Sequence, residues 1–575
     1  MIKKLFPCVG KYLKQSILAP IMVICEVILE TTIPLVMVEI VDRGIKLGNI
    51  KYVAQMGAIM ITMALFSLMF GALSGKFAAE ASMGFAKNVR KKLFDKVQDF
   101  SFANVDKFST ASLITRLTTD VTNTQMSYMM LIRVFVRSPF MLAIATFEAF
   151  RINSKLAMTF VVAIPILAIA LIIIAKFAFP LFEKMLKKYD ALNASIQENL
   201  IGIRVVKAFV REDHESQKFR DASEKLRDMQ YKAESVIIYS MPFMQLVVYG
   251  CTLAIYWFGG NLMVAGEMQD GELLGFITYI MQILMSLMMM SMIFITLVLS
   301  RASVERIVEV FDEEVDVADN ENGLTSVSDG SIEFKDVNFS YSKDKENLTL
   351  ENINLSIKSG ETIGIIGGTG SSKTTLVQLI PRLYDVLSGE VLVGGKNVKE
   401  YTLDALRNSV AMVLQKNVLF SGTIKENLKW GDENATDEEI YEACKAAQAH
   451  DFIMSFPDGY DTDLGQGGVN VSGGQKQRIS IARTILKPAS VYVFDDSFSA
   501  LDYLTESKLR KALNRYLAGK SQIIITQRAA TAMRCDRIYV IEQGSIVGSG
   551  THAELVKSCK VYREIVRSQL GGDAV

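Results

Sequence analysis

Thr362-Ile363-Gly364-Ile365-Ile366, followed at once by Gly367-Gly368-Thr369-Gly370-Ser371-Ser372-Lys373-Thr374-Thr375, decides how the chain is read. The first five residues form an apolar run that reads as a buried strand. A glycine-rich loop comes next, and Thr375–Ile380 reads as a helix. Strand, loop and helix in that order form a phosphate receptor. The glycines let the backbone curl until successive N–H groups face an anion, and the helix N-terminus adds its positive dipole end. Lys373 is placed to reach the β- and γ-phosphates of a nucleotide, and the Thr374 hydroxyl to hold Mg2+. One position departs from the G-x-x-x-x-G-K-[ST] pattern: Ser372 stands where the second glycine belongs.

Three other stretches belong with this loop. Ser331–Tyr341 alternates as a strand and ends on Tyr341, which is placed to stack on an adenine ring. Val491-Tyr492-Val493-Phe494-Asp495-Asp496 is an apolar strand ending in two carboxylates, of which Asp495 suits Mg2+ through water. Val471-Ser472-Gly473-Gly474-Gln475-Lys476-Gln477-Arg478 opens a helical run. Its hydroxyl, two glycines and helix N-terminus make a second anion receptor, and spacing alone does not say what it receives.

At 575 residues the chain exceeds one core, and half of it is hydrophobic, with a mean hydropathy of +0.25. Lys+Arg and Asp+Glu are equal at 62 each, so no nucleic acid or other polyanion is expected as partner. The six cysteines show neither C-x-x-C nor metal spacing and are expected to be free thiols. No cleavable signal peptide is visible. The opening stretch instead mixes Lys3, Lys4, Lys11 and Lys14 with Leu5, Phe6 and Tyr12, as an amphipathic helix on the inner membrane surface would.

The first half holds six runs near the ~20 apolar residues that a membrane span requires: Ile17–Ile40, Val53–Phe77, Val134–Phe150, Leu156–Phe179, Met241–Val264 and Leu273–Leu299. Arg133 precedes the third and Arg137 interrupts it, either at the inner interface or facing the bundle interior. Glu26 and Glu30 lie four apart on one face of the first. They either attract a cationic solute or pair with another helix. Met281, Met285, Met288 and Met292 recur at helical spacing in the last span, suited to an adaptable apolar surface or to plain packing. Two connections, Glu80–Ser127 and Leu181–Ser235, are long, helical in pattern and rich in Lys and Arg, which places them and the N-terminus in the cytoplasm. Their tips, Ser101–Ser109 and Arg211–Lys218, are expected to be short helices touching a cytosolic domain.

Taken together, GGTGSSKTT, Gln415 in VLQKNVLFSGTI, VSGGQKQR, VFDDSFSALD and the late IIITQ strand resemble an ATP-binding-cassette (ABC) exporter half-transporter over nearly the whole chain. The resemblance implies a type IV exporter architecture, an α-helical six-span domain followed by an α/β P-loop nucleotide-binding domain. It divides the chain into an elbow helix (1–16), a transmembrane domain (17–314), a linker (315–330) and a cassette (331–570). It implies ATP and Mg2+ as cofactors. It also implies a second half-transporter as partner, a cell-membrane location among lipid, and hydrophobic small molecules as cargo. By the same resemblance, Ser472, Gly473, Gly474 and Gln475 close on the nucleotide held by the other cassette. Gln415 links Mg2+ to the coupling helices, Ser499–Asp502 crosses between cassettes, and the second long arm reaches the opposite subunit's cassette.

Two residues depart from the family's pattern. Asp496 stands where efficient members carry the glutamate that orients the attacking water. Gln527 stands where they carry a histidine on the γ-phosphate. None of the chain's three histidines, His214, His450 and His552, is near enough in register to substitute. Both losses with VSGGQ and Lys373 intact lead to the expectation of a heterodimer in which this chain's own site is degenerate. Export of lipid or peptide, a non-hydrolysing ATP sensor, and a soluble ATP-binding protein are the alternatives.

Overall fold

The computed structural model describes residues 2–499 and 501–570. The chain separates into two compact units, Met1–Gln98 with Thr110–Glu313, and Asp99–Ser109 with Glu314–Val575.

The first unit is helical. Six of its helices are long and apolar enough to cross a membrane among the described residues. Each of the six expected spans falls on one of them. Ile50–Gln98 and Ser154–Ile201 run 49 and 48 residues, on the order of 70 Å at ~1.5 Å per residue, more than twice the ~30 Å hydrocarbon layer. Span and cytoplasmic arm are therefore one unbroken helix. Ser154–Ile201 starts where the Asn153 side chain accepts from the Lys155 and Leu156 amides at 3.1 and 3.2 Å, satisfying two orphan donors.

Two expectations take a different form. Residues 2–16 are not one amphipathic helix: Ile2–Leu5 gives way to a 3-10 stretch, Phe6–Tyr12, and the first spanning helix starts at Leu13. Pro7 and Gly10, at φ 50°, break the α-helical path, and Asn88 Nδ2 donates to the Cys8 carbonyl at 2.8 Å. At the second tip the short helix is Ile203–Ala208, and Glu212–Lys218 opens the return helix Glu212–Ile238. Glu212, Asp213 and Glu215 sit in that helix's first turn, where its dipole favours negative charge. The tip is apolar, with Ile201 77%, Phe209 74% and Val210 81% exposed.

The intramembrane charges resolve in favour of pairing. Arg137 Nη1 lies 2.7 Å from Glu26 Oε1, and Nη2 bonds Glu30. Gly71 leaves the room: a Cβ there would stand 2.9 Å from Glu26 Oε1. Arg137→Met would strand two carboxylates. It is expected to destabilise the membrane unit by about 3–5 kcal/mol, measured as lost thermal stability in detergent, while Arg137→Lys retains most of it. Unchanged stability of the methionine variant would show that the carboxylates do not depend on this cation. In the last span Met281, Met285 and Met292 are exposed on the unit's surface, and Met288 packs against its core.

The second unit is built on a six-stranded sheet, ordered Ser545–Gly550, Arg537–Glu542, Thr362–Ile366, Ser521–Thr526, Val491–Asp495, Val410–Val413. All but the first pairing are parallel. Strands covered on both faces read as continuous apolar runs, as Val491–Phe494 and Ile523–Ile525 do within their strands. A four-stranded antiparallel sheet, which includes Ile332–Phe339 and Leu350–Ile357, packs beside it. The first arm's tip belongs to this unit. Phe102–Phe108 is a helix whose Ser101 and Asn104 form a capping box. Asn104 Nδ2 donates to the Glu314 carbonyl at 2.9 Å, and Tyr384 Oη donates to Asp106 Oδ2 at 2.8 Å.

Candidate nucleotide-binding site

The parallel register does the assembling. Thr526 pairs with Ile366 and Ile525 with Asp495, so the three central strands end side by side. The residues just past those strand ends, Gly367–Thr375, Asp496 and Gln527, are delivered to one edge, where ligands of open α/β sheets bind. There a cleft of about 360 Å³ is lined by Thr369–Thr375, Gln415, Asp495, Asp496, Ile525 and Gln527.

The loop's glycines serve different ends. A Cβ on Gly367 would lie 2.2 Å from the Ile541 carbonyl oxygen, so the strand behind excludes it. Gly370 has φ 79°. A Cβ on Gly368 or Gly370 would meet nothing within 4 Å, so the space above them is open. Ser372 adopts φ 68°, ψ 22°, the left-handed conformation that the usual glycine supplies without strain, at ~1–2 kcal/mol for an L-residue. Lys373 folds over the loop: Nζ donates to the Gly367 and Gly368 carbonyls at 3.0 and 2.6 Å and to Ser371 Oγ at 3.1 Å. Burial holds its ammonium below the usual lysine range, with the Asp496 and Asp495 charges opposing.

Thr374 Oγ1 donates to Asp495 Oδ1 at 3.1 Å. Asp495 Oδ2 is buried without a hydrogen-bond partner, and burial pushes the carboxyl up to about 6. A buried orphan oxygen beside a hydroxyl fits a hard cation such as Mg2+, and Gln415 is exposed on the same cleft. Asp496 has φ 46°, a left-handed turn that its short polar side chain tolerates. Its amide donates to the Ile525 carbonyl at 3.2 Å, and its carbonyl accepts from Ser499 Oγ at 2.9 Å and Gln477 Nε2 at 3.3 Å. Burial raises its carboxyl above the usual aspartate range.

Tyr341 is half-exposed, with Oη 2.9 Å from Thr375 Oγ1, and its ring stands edge-on to Tyr384 at 5.2 Å between centroids. Asp106 of the arm tip is thus joined to the phosphate loop through two tyrosines. Ser472 caps the helix Gly473–Leu486, with Gln475 Oε1 accepting from the Ser472 amide at 2.8 Å. Ser472, Gly473 and Gln475 do not line the phosphate-loop cleft. A Cβ on Gly473 would meet nothing within 4 Å. Of Ser499–Asp502, Ala500 lies outside the described residues.

Two contributors, Tyr384 and Gln569, had no local signal, and Gln477 lies inside the VSGGQKQR run without a role read for it. Gln569 Nε2 donates to the Gln527 carbonyl at 2.7 Å, and its Oε1 accepts from the Ala529 amide at 2.8 Å, clamping the turn after the strand.

Fold and site define a membrane-embedded P-loop ATPase. The model of the ABC transporter transmembrane region matches residues 16–287, and that of the ABC transporter family matches residues 350–499. An ABC transporter ATP-binding protein of Bacillus subtilis, YfiB, is 40% identical over 96% of both chains. A second Bacillus subtilis protein, YgaD, whose name refers to multidrug export, is 31% identical over 99% of both. A bacterial Atm1-family ABC exporter solved with ATP bound has the same fold, with a TM-score of 0.85 at 23% identity, covering 98% of this chain and all of that one. The chain belongs to the ABC transporter family. It is a half-transporter with the fold of an ABC exporter, a multi-span membrane protein whose nucleotide-binding domain is cytoplasmic, and an ATP-hydrolysing transporter by class.

Proposed function

We propose that this chain is one subunit of a heterodimeric exporter of hydrophobic or amphipathic compounds, and that its own phosphate loop is the slower of two ATP sites. The observation that carries the reading is the cleft itself. Asp496 and Gln527, the two departures, line the same space as Lys373. An aspartate falls ~1 Å short of a glutamate, and misplacement of that size costs on the order of 10²-fold in rate. Glutamine donates a hydrogen bond but cannot become a cation.

On this reading Tyr341 stacks the adenine and Gly367–Thr375 cradles the phosphates. Lys373 leaves its loop carbonyls for the phosphate oxygens. Thr374, Gln415 and, through water, Asp495 would hold Mg2+, which when bound neutralises phosphate charge. Ser472, Gly473, Gly474 and Gln475 present donors to the nucleotide on the partner's loop, where the partner supplies glutamate and histidine. The segments 1–16, 17–314, 315–330 and 331–570 are assigned as elbow, membrane domain, linker and cassette. The tyrosine pair between Asp106 and Thr375 supports a direct line from nucleotide to membrane arm, so that each conformational state is favoured by its own contacts. The apolar second tip suits a seat on the partner's cassette. The name of YgaD favours drug-like cargo.

The test is ATPase activity of the purified chain alone and with its co-purifying partner. The pair is expected to hydrolyse ATP, vanadate-sensitively, at least ~10²-fold faster than the lone chain. Brisk turnover by the lone chain would overturn the heterodimer. A pair that binds ATP without turnover would favour the sensor reading.

A further inference from the structure

We propose that the cassette carries an oxyanion site distinct from the phosphate loop, which takes inorganic phosphate in a cavity between helix Tyr503–Tyr516 and the turn after strand Ser521–Thr526. The cavity is small, about 40 Å³, and Arg510, Arg528 and Arg534 all line it, with Tyr503 and Ser507 adding hydroxyls. Glu506 is the one carboxylate among its described lining residues, and both its oxygens are spoken for. Oε2 pairs with Arg528 Nη1 at 2.5 Å, and Oε1 accepts from Thr531 Oγ1 at 2.5 Å. Arg528 spends its other end on the Ser499 carbonyl, with Nη2 at 3.0 Å.

That leaves Arg510 without an acceptor. It is only 9% exposed, it faces the cavity, and among the described residues no hydrogen bond or ion pair reaches its side chain. Three guanidinium groups against one carboxylate leave two positive charges over. Its side chain is largely withdrawn from solvent while the guanidinium opens onto the cavity without a counter-charge of its own, an unfavourable arrangement that an anion would relieve. Burial also holds Arg510 below the usual arginine range, with Cys535 and Glu506 opposing and Arg534 adding to it. Guanidinium forks match the oxygen spacing of tetrahedral oxyanions, and the cavity is too small for a nucleotide.

Inorganic phosphate is the oxyanion that this ATPase itself releases. Arg528 is the residue after Gln527, which lines the nucleotide cleft. An anion in the cavity competes with Ser499 and Glu506 for Arg528. Its occupancy would therefore bear on the turn that holds Gln527 and on the loop that begins at Ser499, making the site a sensor of product.

The experiment uses the assembled transporter with a non-hydrolysable ATP analogue filling the phosphate loops, so that added phosphate cannot be read at Lys373. Inorganic phosphate is titrated against sodium chloride at matched ionic strength, and thermal unfolding is followed. The parent is expected to show a saturable rise in Tm of roughly 2 °C or more. Arg510→Met should abolish the rise and Arg534→Met should weaken it. Arg534 is exposed, so its variant reports even if the first folds poorly. Equal rises in the parent and both variants, or no rise in the parent, would overturn the site. Phosphate binding to the lone chain but not to the assembled pair would put a partner carboxylate in the cavity and overturn it equally.

Discussion

Asp496→Glu combined with Gln527→His in this chain is expected to raise turnover at its own phosphate loop by on the order of 10²-fold, read as ADP trapped by vanadate on that loop in the assembled pair. The backbone here cannot move to make up for a short side chain. Asp496 is held by the Ile525 carbonyl on one side and by Ser499 and Gln477 on the other. A methylene added at that fixed point extends the carboxylate into the cleft by the ~1 Å it lacks. Gln527 is fixed in the same way. The Gln569 amide holds the Gln527 carbonyl and the Ala529 amide together, so an imidazole at 527 would emerge where the glutamine does now. Gln527→His alone is expected to do little, because a cationic contact on the γ-phosphate does not orient water. Trapped ADP that stays at the parental level in the double variant would sink the degenerate-site reading as stated. The limit would then lie at Ser372, whose left-handed backbone is the third departure in the cleft.

How much of this was legible in the sequence depended on whether the signal was local. The spans could be read because ~20 apolar residues have few other uses, and the central strands because burial on both faces leaves them unbroken. The phosphate loop was legible for the same reason: its glycines, Lys373 and Thr374 are contiguous. Even Ser372 could be flagged, since the pattern expects glycine where the structure has φ 68°. Partners distant in sequence could not be read. Glu30 and Arg137 are 107 residues apart, and the sequence left open whether the carboxylates faced a solute or a helix. Gln569, 42 residues beyond Gln527, lies in no motif. At the second tip the polar stretch Arg211–Lys218 reads as a short helix of its own. Glu212, Asp213 and Glu215 are instead the acidic first turn of a long helix, and the apolar Ile203–Ala208 forms the short one.

Gly473→Asp is expected to lower ATP turnover of the assembled pair by at least ~10²-fold, the loss typical of removing a single preorganised donor at a developing charge. The glycine has no reason to exist within its own chain. Its backbone is helical, and a Cβ there would meet no atom within 4 Å. An aspartate in a helix's first turn is, if anything, stabilising, so the chain's Tm should change little. The helix start is capped by Ser472 and Gln475 and does not depend on residue 473. What the aspartate does change is the charge offered outward, where on the proposed reading a phosphate of the partner-held nucleotide comes to rest. The matched control is Lys373→Ala in the same chain, which empties this chain's own loop and is expected to cost the pair much less. The two variants thus separate what the chain gives away from what it keeps. If Lys373→Ala stopped the pair while Gly473→Asp left it running, the fast site would be this chain's own, and the assignment of the two sites would have to be exchanged.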